Sequence, residues 1–517
     1  MMKVPKEIKD IIDGLEKKGF QAFVVGGCVR DLLRNVEPED WDVTTNANPE
    51  EISKVFPSSF SDNKFGTVTV LTDSENPRLK EVEITPFRKE TKYSDKRHPD
   101  EVFWAKTIED DLSRRDFTVN AMAMKIKKSK IKNPAYASPS RNASDEHSKA
   151  SVGRQKLKIE NLEVIDPFDG QKDLKDKTIR AVGNAEERFG EDALRIMRAV
   201  RFAVTLDFEI EEKTRKAIEK NAGWLKAISK ERIRDEFMKI IMADRAADGI
   251  ELLRNLGILQ YIVPELEEGY GVGQNKHHIY ECYKHNVLSL EYAAKKKFNS
   301  NVRLAALLHD IAKPRVKAGE GSDATFYGHE IVGAKMTAQI LNRLKFSKKD
   351  IEKVAKLVRY HLFYYNVGEV SESSVRRLVR QVGPENMEEL LRVRMADRIG
   401  SGVPKAEPYK LRHFQYVIEK VAQDPISAKM LKVNGNDVIK ILGINPGPKI
   451  GAILDILLGY VLADPSKNED DFLKEEMRKL GSLSDEKLSE MAKKGKKERE
   501  QIEQKRDEMT KKKYWVS

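Results

Sequence analysis

A chain of 517 residues exceeds one ordinary domain, and at roughly 150 residues per domain it predicts about three packed units. Charged residues make up 34% and hydrophobic residues 40%, so the surface is strongly ionic while the apolar content still supports real cores, which excludes wholesale disorder. Lys and Arg outnumber Asp and Glu by 94 to 83, a net +11 that favours a polyanionic partner without naming one. From the N-terminus, Ile8, Ile11, Ile12 and Leu15 recur at helical spacing, Gly19 stops the helix, and AFVVGG (22–27) is a β-rich run closed by two glycines. A helix over 28–34 leads to EDWDVTT, Pro49 marks another helix start, and GTVTVLT (66–72) and EVEIT (81–85) read as strands. That order predicts an α/β or α+β unit. From Lys125 to Lys158 apolar periodicity gives way to Ser, Asn, Pro and Lys, the composition of a solvated insertion.

LEVIDPFDG restores a strand and a turn, and from about Gly190 to Asp464 apolar residues recur every three or four positions, a helical pattern. After Pro465, 28 of 53 residues are charged and apolar spacing is thin, which predicts a frayed helix or disordered tail. The two cysteines, Cys28 and Cys282, exclude a disulfide framework and a cysteine-only zinc site and predict a reducing, cytoplasmic setting. No apolar run approaches the roughly 20 residues of a membrane span, and MMKVPKEIKD lacks the apolar centre of a secretory signal, so no membrane partner is expected.

The sharpest chemical signal is Gly26-Gly27-Cys28-Val29-Arg30-Asp31 followed by Asp40-Trp41-Asp42. On a strand, side chains at i and i+2 face one way, so Asp40 and Asp42 would present paired carboxylates able to hold Mg²⁺, which takes its shell from one or two carboxylates, water and substrate phosphates. Glycines closing a strand let backbone N–H groups approach a phosphate, with Arg30 adding charge. These pieces suggest nucleotidyl transfer between two metal-clamped oxygens. Glu83, with Glu81 on its face, offers a third carboxylate. A turn flanked by solvated acids, and the polar face of an amphipathic strand, satisfy the same spacings.

GGCVRDLLRNVEPEDWD resembles the signature of the class II tRNA nucleotidyltransferases (CCA-adding enzymes) and bacterial poly(A) polymerases, within the polymerase-β-like nucleotidyltransferase superfamily. Four further motifs match in order: EDDLSRRDFTVNAMA (109–123), DPFDG (166–170), RFGEDALRIMRAVRFA (188–203) and ERIRDEF (231–237). The resemblance implies an α+β fold, with a nucleotidyltransferase head (mixed sheet with helices) over 1–175, an all-α neck over 176–265 that binds nucleobase and tRNA, a helical body with an HD-type domain over 266–464, and a charged tail over 465–517. It places Asp40, Asp42 and Glu83 in catalysis, the two aspartates holding Mg²⁺, and Gly27 and Arg30 at the nucleotide. Asp192 and Arg195, at i and i+3 of a helix, offer acceptors beside a planar fork of donors that match the pairing edges of cytosine and adenine and leave guanine or uracil facing a carbonyl to a carboxylate. A helix-surface ion pair has the same spacing. By resemblance Arg198, Arg201 and Arg115 meet nucleotide phosphates, Arg being suited to bidentate phosphate contact. Asp116 reads the ribose hydroxyl, with a structural pair to Arg114 as the alternative.

FRKETKYSDKRHPDEVFWAKTIEDDL (87–112) resembles the flexible loop that complete CCA-adding enzymes keep, and the ending NAMA favours tRNA over poly(A) addition. The resulting expectation is addition of C, C and A to the 3′ end of tRNA from CTP and ATP, with pyrophosphate released. The alternatives are A-only or poly(A) addition, and an RNA-binding protein whose main activity is phosphohydrolysis; DNA is not an expected partner. Six of nine histidines fall between His277 and His361. His285, His309-Asp310 and Asp397, with His329 and His361 as further candidates, resemble the HD phosphohydrolase superfamily, which implies a divalent metal of unassigned identity and a second activity on cyclic phosphates at RNA ends. A helical RNA-binding scaffold with a relict site is the other reading.

The positive charge is uneven. Lys125 to Lys158 holds ten Lys or Arg against two Asp or Glu, and Pro465 to Ser517 fifteen against thirteen, leaving +1 for the rest of the chain. Any basic groove for an RNA backbone must therefore come from local charge separation.

Overall fold

Apolar spacing at the N-terminus folds as expected, with helix Lys6–Lys17 burying Ile8, Ile11, Ile12 and Leu15. The computed structural model describes residues 4–62, 66–91, 101–127, 162–275, 279–422 and 428–516. Residues 128–158 of the basic insertion, 92–100 of the loop over 87–112, and His277 lie outside the described residues. Two compact units divide the chain, Met1–Ala355 and Lys356–Ser517, a partition inside the stretch 266–464 that the sequence pattern groups as one helical body.

The head of the first unit is built on β1 (Ala22–Val25), β2 (Asp42–Thr45), β3 (Ser59–Asp62), β4 (Thr67–Leu71) and β5 (Glu81–Pro86), a separate two-stranded ribbon β6 (Arg88–Thr91) and β7 (Glu101–Trp104), and β8 (Ala123–Ile126) and β9 (Leu162–Ile165). The main sheet runs β3-β4-β5-β2-β1-β8-β9. Only β2 and β5 are parallel neighbours; the other five pairs are antiparallel, so the sheet is mixed, as an α+β head requires. β1 is buried at all four residues because it serves two cores: Ala22 and Val24 join the cluster holding Ile8 and Leu15, while Phe23 and Val25 pack with Phe87 and Leu112 on the other face. Helix Pro49–Val55 starts at the expected proline and is fixed by a capping box between Asn48 and Glu51.

The DPFDG motif is a structural joint. Asp166 accepts from the N–H groups of Gly170 and Gln171 (2.7 and 2.8 Å), and Thr118 donates to Asp173 at 2.7 Å. Gly170 lies so close to the Thr118 carbonyl oxygen that a Cβ would collide with it and with Met122. Beyond the head the first unit is helical. Arg303, 2% exposed, donates to the carbonyls of Phe298, Ala294, Ile241 and Ala243, covering orphan acceptors at the C-terminal ends of helices Lys230–Met242 and Cys282–Lys295 and joining the two.

The second unit corrects the expected tail. Residues beyond Pro465 form helix Asp470–Gly481, which buries Leu473, Met477 and Leu480, and a 30-residue helix, Asp485–Tyr514. Leu488 joins Ile453, Ile456 and Leu457 of helix Pro448–Ala463 in one core. The apolar residues are sparse but recur at i, i+4 and i+7, and Gly459 faces Gly495 closely enough that a Cβ on one meets the other's Cα at 3.6 Å, so few side chains suffice for tight packing. Among the described residues no helix is long and apolar enough to cross a membrane.

Gly170→Ala, which forces a methyl into the Thr118 backbone, is expected to lower stability by about 1–3 kcal/mol, read as a lower urea midpoint with an unchanged slope.

Candidate active site

Because β1 and β2 are antiparallel neighbours with Val24 opposite Val43, the glycine turn leaving β1 lies beside Asp42, where β2 begins. Gly26 has φ +83 and ψ −134, a conformation that L side chains rarely adopt, and a Cβ there would stand 2.8 Å from an Arg115 Nη atom and 3.7 Å from an Asp42 carboxylate oxygen. The turn is therefore glycine both for its backbone and for the space that Arg115 fills.

Asp40 and Asp42 are not on one strand. Asp40 sits in a bend and only Asp42 belongs to β2, but Trp41 between them is buried in the head core, so the two carboxylates flank it and line a common cleft. Glu83 pairs in register with Asp42 across the parallel β2–β5 ladder, which puts both on one face. Burial pushes the Asp42 carboxyl up to about 6, against an ordinary 3.8; Arg115 opposes that rise, and the like charges of Glu83 and Asp40 add to it. A buried carboxylate beside two more is short of positive charge, and three oxygen-only side chains suit Mg²⁺. Asp40, Asp42 and Glu83 form no ion pair with a described residue.

The cleft encloses about 1120 Å³ and is walled on its other side by the helical neck, with Gly27, Arg30, Arg115, Asp116, Asp192, Arg195, Arg198 and Arg201 all on its lining. Glu83, on the exposed face of the interior strand β5, is not on that lining. Nearly every arginine in the cleft is held by a carboxylate. Arg30 grips Asp31 through two bonds of 2.9 and 2.8 Å. Buried Asp111 takes Arg114 on one oxygen (3.0 and 2.8 Å) and Arg115 on the other (3.2 Å), and although burial works against its charge, these arginines keep its carboxyl below the ordinary range. Arg201 meets Glu236 at 3.3 Å. The Phe202 ring lies under three guanidinium groups, 4.0 Å from Arg201, 5.3 Å from Arg198 and 5.5 Å from Arg30.

Asp116 pairs with Arg198 (2.7 and 2.6 Å), not with Arg114. Its other oxygen accepts from the Phe117 N–H at 2.8 Å and from Asn120 at 3.2 Å, so its four lone-pair directions are filled. Burial raises this carboxyl, but Arg198 and Arg195 outweigh it and bring it down to about 2.

Asp192 and Arg195 do not share a helix. Helix Ala185–Glu191 ends at Asp192, which is extended (φ −139, ψ 104), and helix Leu194–Leu206 starts two residues on. Asp192 caps the second helix by accepting from the Leu194 N–H at 3.0 Å, and Arg195 is aimed by Glu191 at 2.5 Å and by the carbonyls of Arg188 (3.0 Å) and Arg114 (2.9 Å). Both still line the cleft. Sequence reasoning missed Arg232, which holds Asp192 from helix Lys230–Met242 at 2.7 Å, and also Asp111, Glu236 and Phe202. All four sit inside the quoted motifs, which was the available signal.

A second cluster lies elsewhere in the first unit. His285 and His309 approach Nε2 to Nε2 at 2.8 Å, and Asp310 is 3.0 Å from the first and 3.4 Å from the second, with His329 Nε2 3.3 Å from its other oxygen. His309 and His329 each place Nδ1 within 2.9 and 2.7 Å of a backbone carbonyl, of Ala306 and Phe326, an arrangement that orients the rings with Nε2 toward Asp310. Burial raises the Asp310 carboxyl, but Lys313, 2.6 Å away, and His309 hold it well below the ordinary range. This donor set fits a divalent cation. In the second unit His361 is buried, its Nδ1 2.7 Å from the Val358 carbonyl, and buried Asp397 pairs with Arg394.

Three family models match in chain order: the poly A polymerase head domain over 22–136, the probable RNA- and SrmB-binding site of polymerase A over 207–269, and the HD domain over 278–400. The CCA-adding enzyme of Lactococcus lactis subsp. lactis is 30% identical over 92% of this chain and 99% of its own length. That of Lactobacillus delbrueckii subsp. bulgaricus is 32% identical over 89% and 93%. The A-adding tRNA nucleotidyltransferase of Deinococcus radiodurans is 31% identical over 84% and 90%. Among solved structures, the Bacillus stearothermophilus CCA-adding enzyme in complex with CTP matches with a TM-score of 0.55 at 26% identity, covering 92% of this chain and 98% of that one. With the motifs in order, the head and helical body in place and relatives aligned over most of its length, the chain belongs to the family of CCA-adding enzymes, the tRNA nucleotidyltransferases.

Proposed function

We propose that this protein is a cytoplasmic enzyme that completes the 3′ end of tRNA by adding C, C and A from CTP and ATP. One observation carries the reading: Asp40, Asp42, Asp192 and Arg195 line a single cleft. The first pair suits a phosphoryl reaction, and the second presents an acceptor and a donor fork to a nucleobase. In the reaction the primer 3′-oxygen bonds to the α-phosphorus, the α–β bridging bond breaks, and pyrophosphate leaves with that electron pair. Asp40 and Asp42, with Glu83 beside them, would hold Mg²⁺, which would supply charge neutralisation and a more acidic 3′-hydroxyl. Arg30 and Arg115 bind the triphosphate, and the glycine turn at 26–27 gives it room. Arg198, aimed by Asp116, and Arg201 orient the nucleotide from the neck side, so that Asp116 acts through Arg198 and touches no ribose directly. Asp192 accepts the exocyclic amino group of cytosine or adenine, and Arg195 donates to the neighbouring ring nitrogen.

The second reading, A-only addition, is favoured by the Deinococcus radiodurans relative. Purified protein given tRNA lacking its terminal CCA should add three nucleotides with CTP and ATP. Growth by one A only on tRNA already ending in CC would select the A-adding reading, and long tails on unrelated RNA a poly(A) polymerase. Asp42→Ala should abolish addition.

The histidine cluster supports a separate activity. We assign His285, His309 and Asp310 to a divalent metal of a phosphohydrolase site, with His329 adjoining and Asp397 and His361 added by the HD resemblance. His309→Ala should leave CCA addition intact and abolish metal-dependent hydrolysis of a cyclic phosphate at an RNA end; loss of both activities together would refute two independent sites.

The Asp116–Arg198 pair generates a pH-dependent stability effect. Its carboxyl lies at about 2 in the fold against an ordinary 3.8, so its contribution is complete above about pH 4 and is lost as pH falls through 2. Asp116→Asn should cost roughly 2–3 kcal/mol at both pH 7 and pH 5, with the gap about halved at pH 3, measured by urea unfolding.

A further inference from the structure

Asp192 does not meet the cleft as a bare carboxylate. Its Oδ1 accepts from the Leu194 N–H at 3.0 Å and from one Arg232 Nη at 3.3 Å, and its Oδ2 accepts from the other Arg232 Nη at 2.7 Å. A carboxylate offers about four lone-pair directions. Three are taken here, and the fourth is on Oδ2. Arg232 itself is held in register. It lies on helix Lys230–Met242, and one turn later on the same face Glu236 pairs with Arg201 of helix Leu194–Leu206 at 3.3 Å. Two arginine–carboxylate links of opposite polarity thus tie that helix to the segment carrying Asp192 and Arg195, and Arg232, Asp192 and Arg201 all line the cleft.

We infer that Arg232 is a specificity-determining positioning residue: its guanidinium fork pins the Asp192 carboxylate in one plane, as a pure acceptor with a single open lone pair on Oδ2. A base edge that leads with one N–H donor fills that lone pair. An edge that leads with a carbonyl brings lone pair against lone pair, and the carboxylate cannot swivel away to relieve it because both of its oxygens are tied. Selectivity for amino bases over keto bases then depends on the geometry of the fork as well as on its charge. Lysine keeps the charge but offers a single nitrogen that cannot hold both oxygens in plane. The inference rests on the reading above that Asp192 meets the base.

The test is single-nucleotide addition to tRNA lacking CCA, with kcat and KM measured for CTP and for UTP in wild type, Arg232→Lys, Arg232→Gln and Asp192→Ala, each checked for a cooperative thermal unfolding transition. Both Arg232 variants should lose at least tenfold of the CTP-over-UTP ratio in kcat/KM, through a raised KM for CTP, while kcat with CTP stays within a few-fold. A merely structural role would lower kcat for both nucleotides together and leave the ratio unchanged, and that result in Arg232→Lys overturns the inference. If Asp192→Ala loses discrimination while both Arg232 variants keep it, Asp192 reads the base without help from Arg232. If Asp192→Ala itself keeps discrimination, the base-reading assignment falls first.

Discussion

The cleft must accept a polyanion and yet remain folded when none is bound, and ion pairing inside the protein meets that constraint. Arginines at 30, 114, 115, 195, 198, 201 and 232 each rest on a carboxylate from their own or a neighbouring segment. Buried pairs of this kind add little net stability, because desolvation cancels much of the attraction, but they fix where a guanidinium points. Removing one partner is costly since it strands the other. The pairs also link modules: Arg198 of the neck reaches Asp116 of the head, and the Arg114 carbonyl of the head holds Arg195 of the neck. The positions of the cleft's guanidinium groups are thus set by contacts between segments far apart in the chain.

Against that background the carboxylates at β2 and β5 stand out. Asp42 and Glu83 lie side by side in register, Asp40 adds a third charge, and the Asp42 carboxyl is driven up to about 6. Asp31, Asp111, Asp116 and Asp192 are each held by arginine, whereas this group is the one whose donor set suits a cation. The histidine cluster applies the same rule with different chemistry. There the outward ring nitrogens of His309 and His329 meet backbone carbonyls, which turns the inward ones toward Asp310.

Much of this was legible in the sequence. The strands, the helix starts and the motif segments follow from apolar period, Pro and Gly. The ordered motifs also carry most of the residues that line the cleft. Pairing was not legible. Asp192 lies 40 positions from Arg232, and Asp116 lies 82 from Arg198, distances that only the tertiary fold closes. Local reading also assumed continuity where the chain breaks: Asp40 bends out of the strand because buried Trp41 anchors the turn, and Asp192 leaves the helix because its carboxylate caps the next one. The C-terminal helices were hidden by composition, since a glycine-to-glycine crossing needs few apolar side chains to pack.

The net +11 resides mostly in the insertion and tail, so it says little about the cleft. The cleft lining itself carries arginines and carboxylates in nearly equal measure. Net attraction is therefore a weak account of how a triphosphate is held there. On the proposed reading binding is an ion exchange: a phosphate oxygen engaging an arginine would compete with a carboxylate already in place, and the free energy gained would be the difference between two charge-assisted pairs, not the whole of one. Such a site discriminates by geometry, because an anion that cannot reproduce the angles of the displaced carboxylates loses the exchange. The same logic extends to the base. If Asp192 meets the base as proposed, it keeps its arginine and offers what is left over, so the recognition surface is defined by the lone pair that the protein's own bonds leave unused.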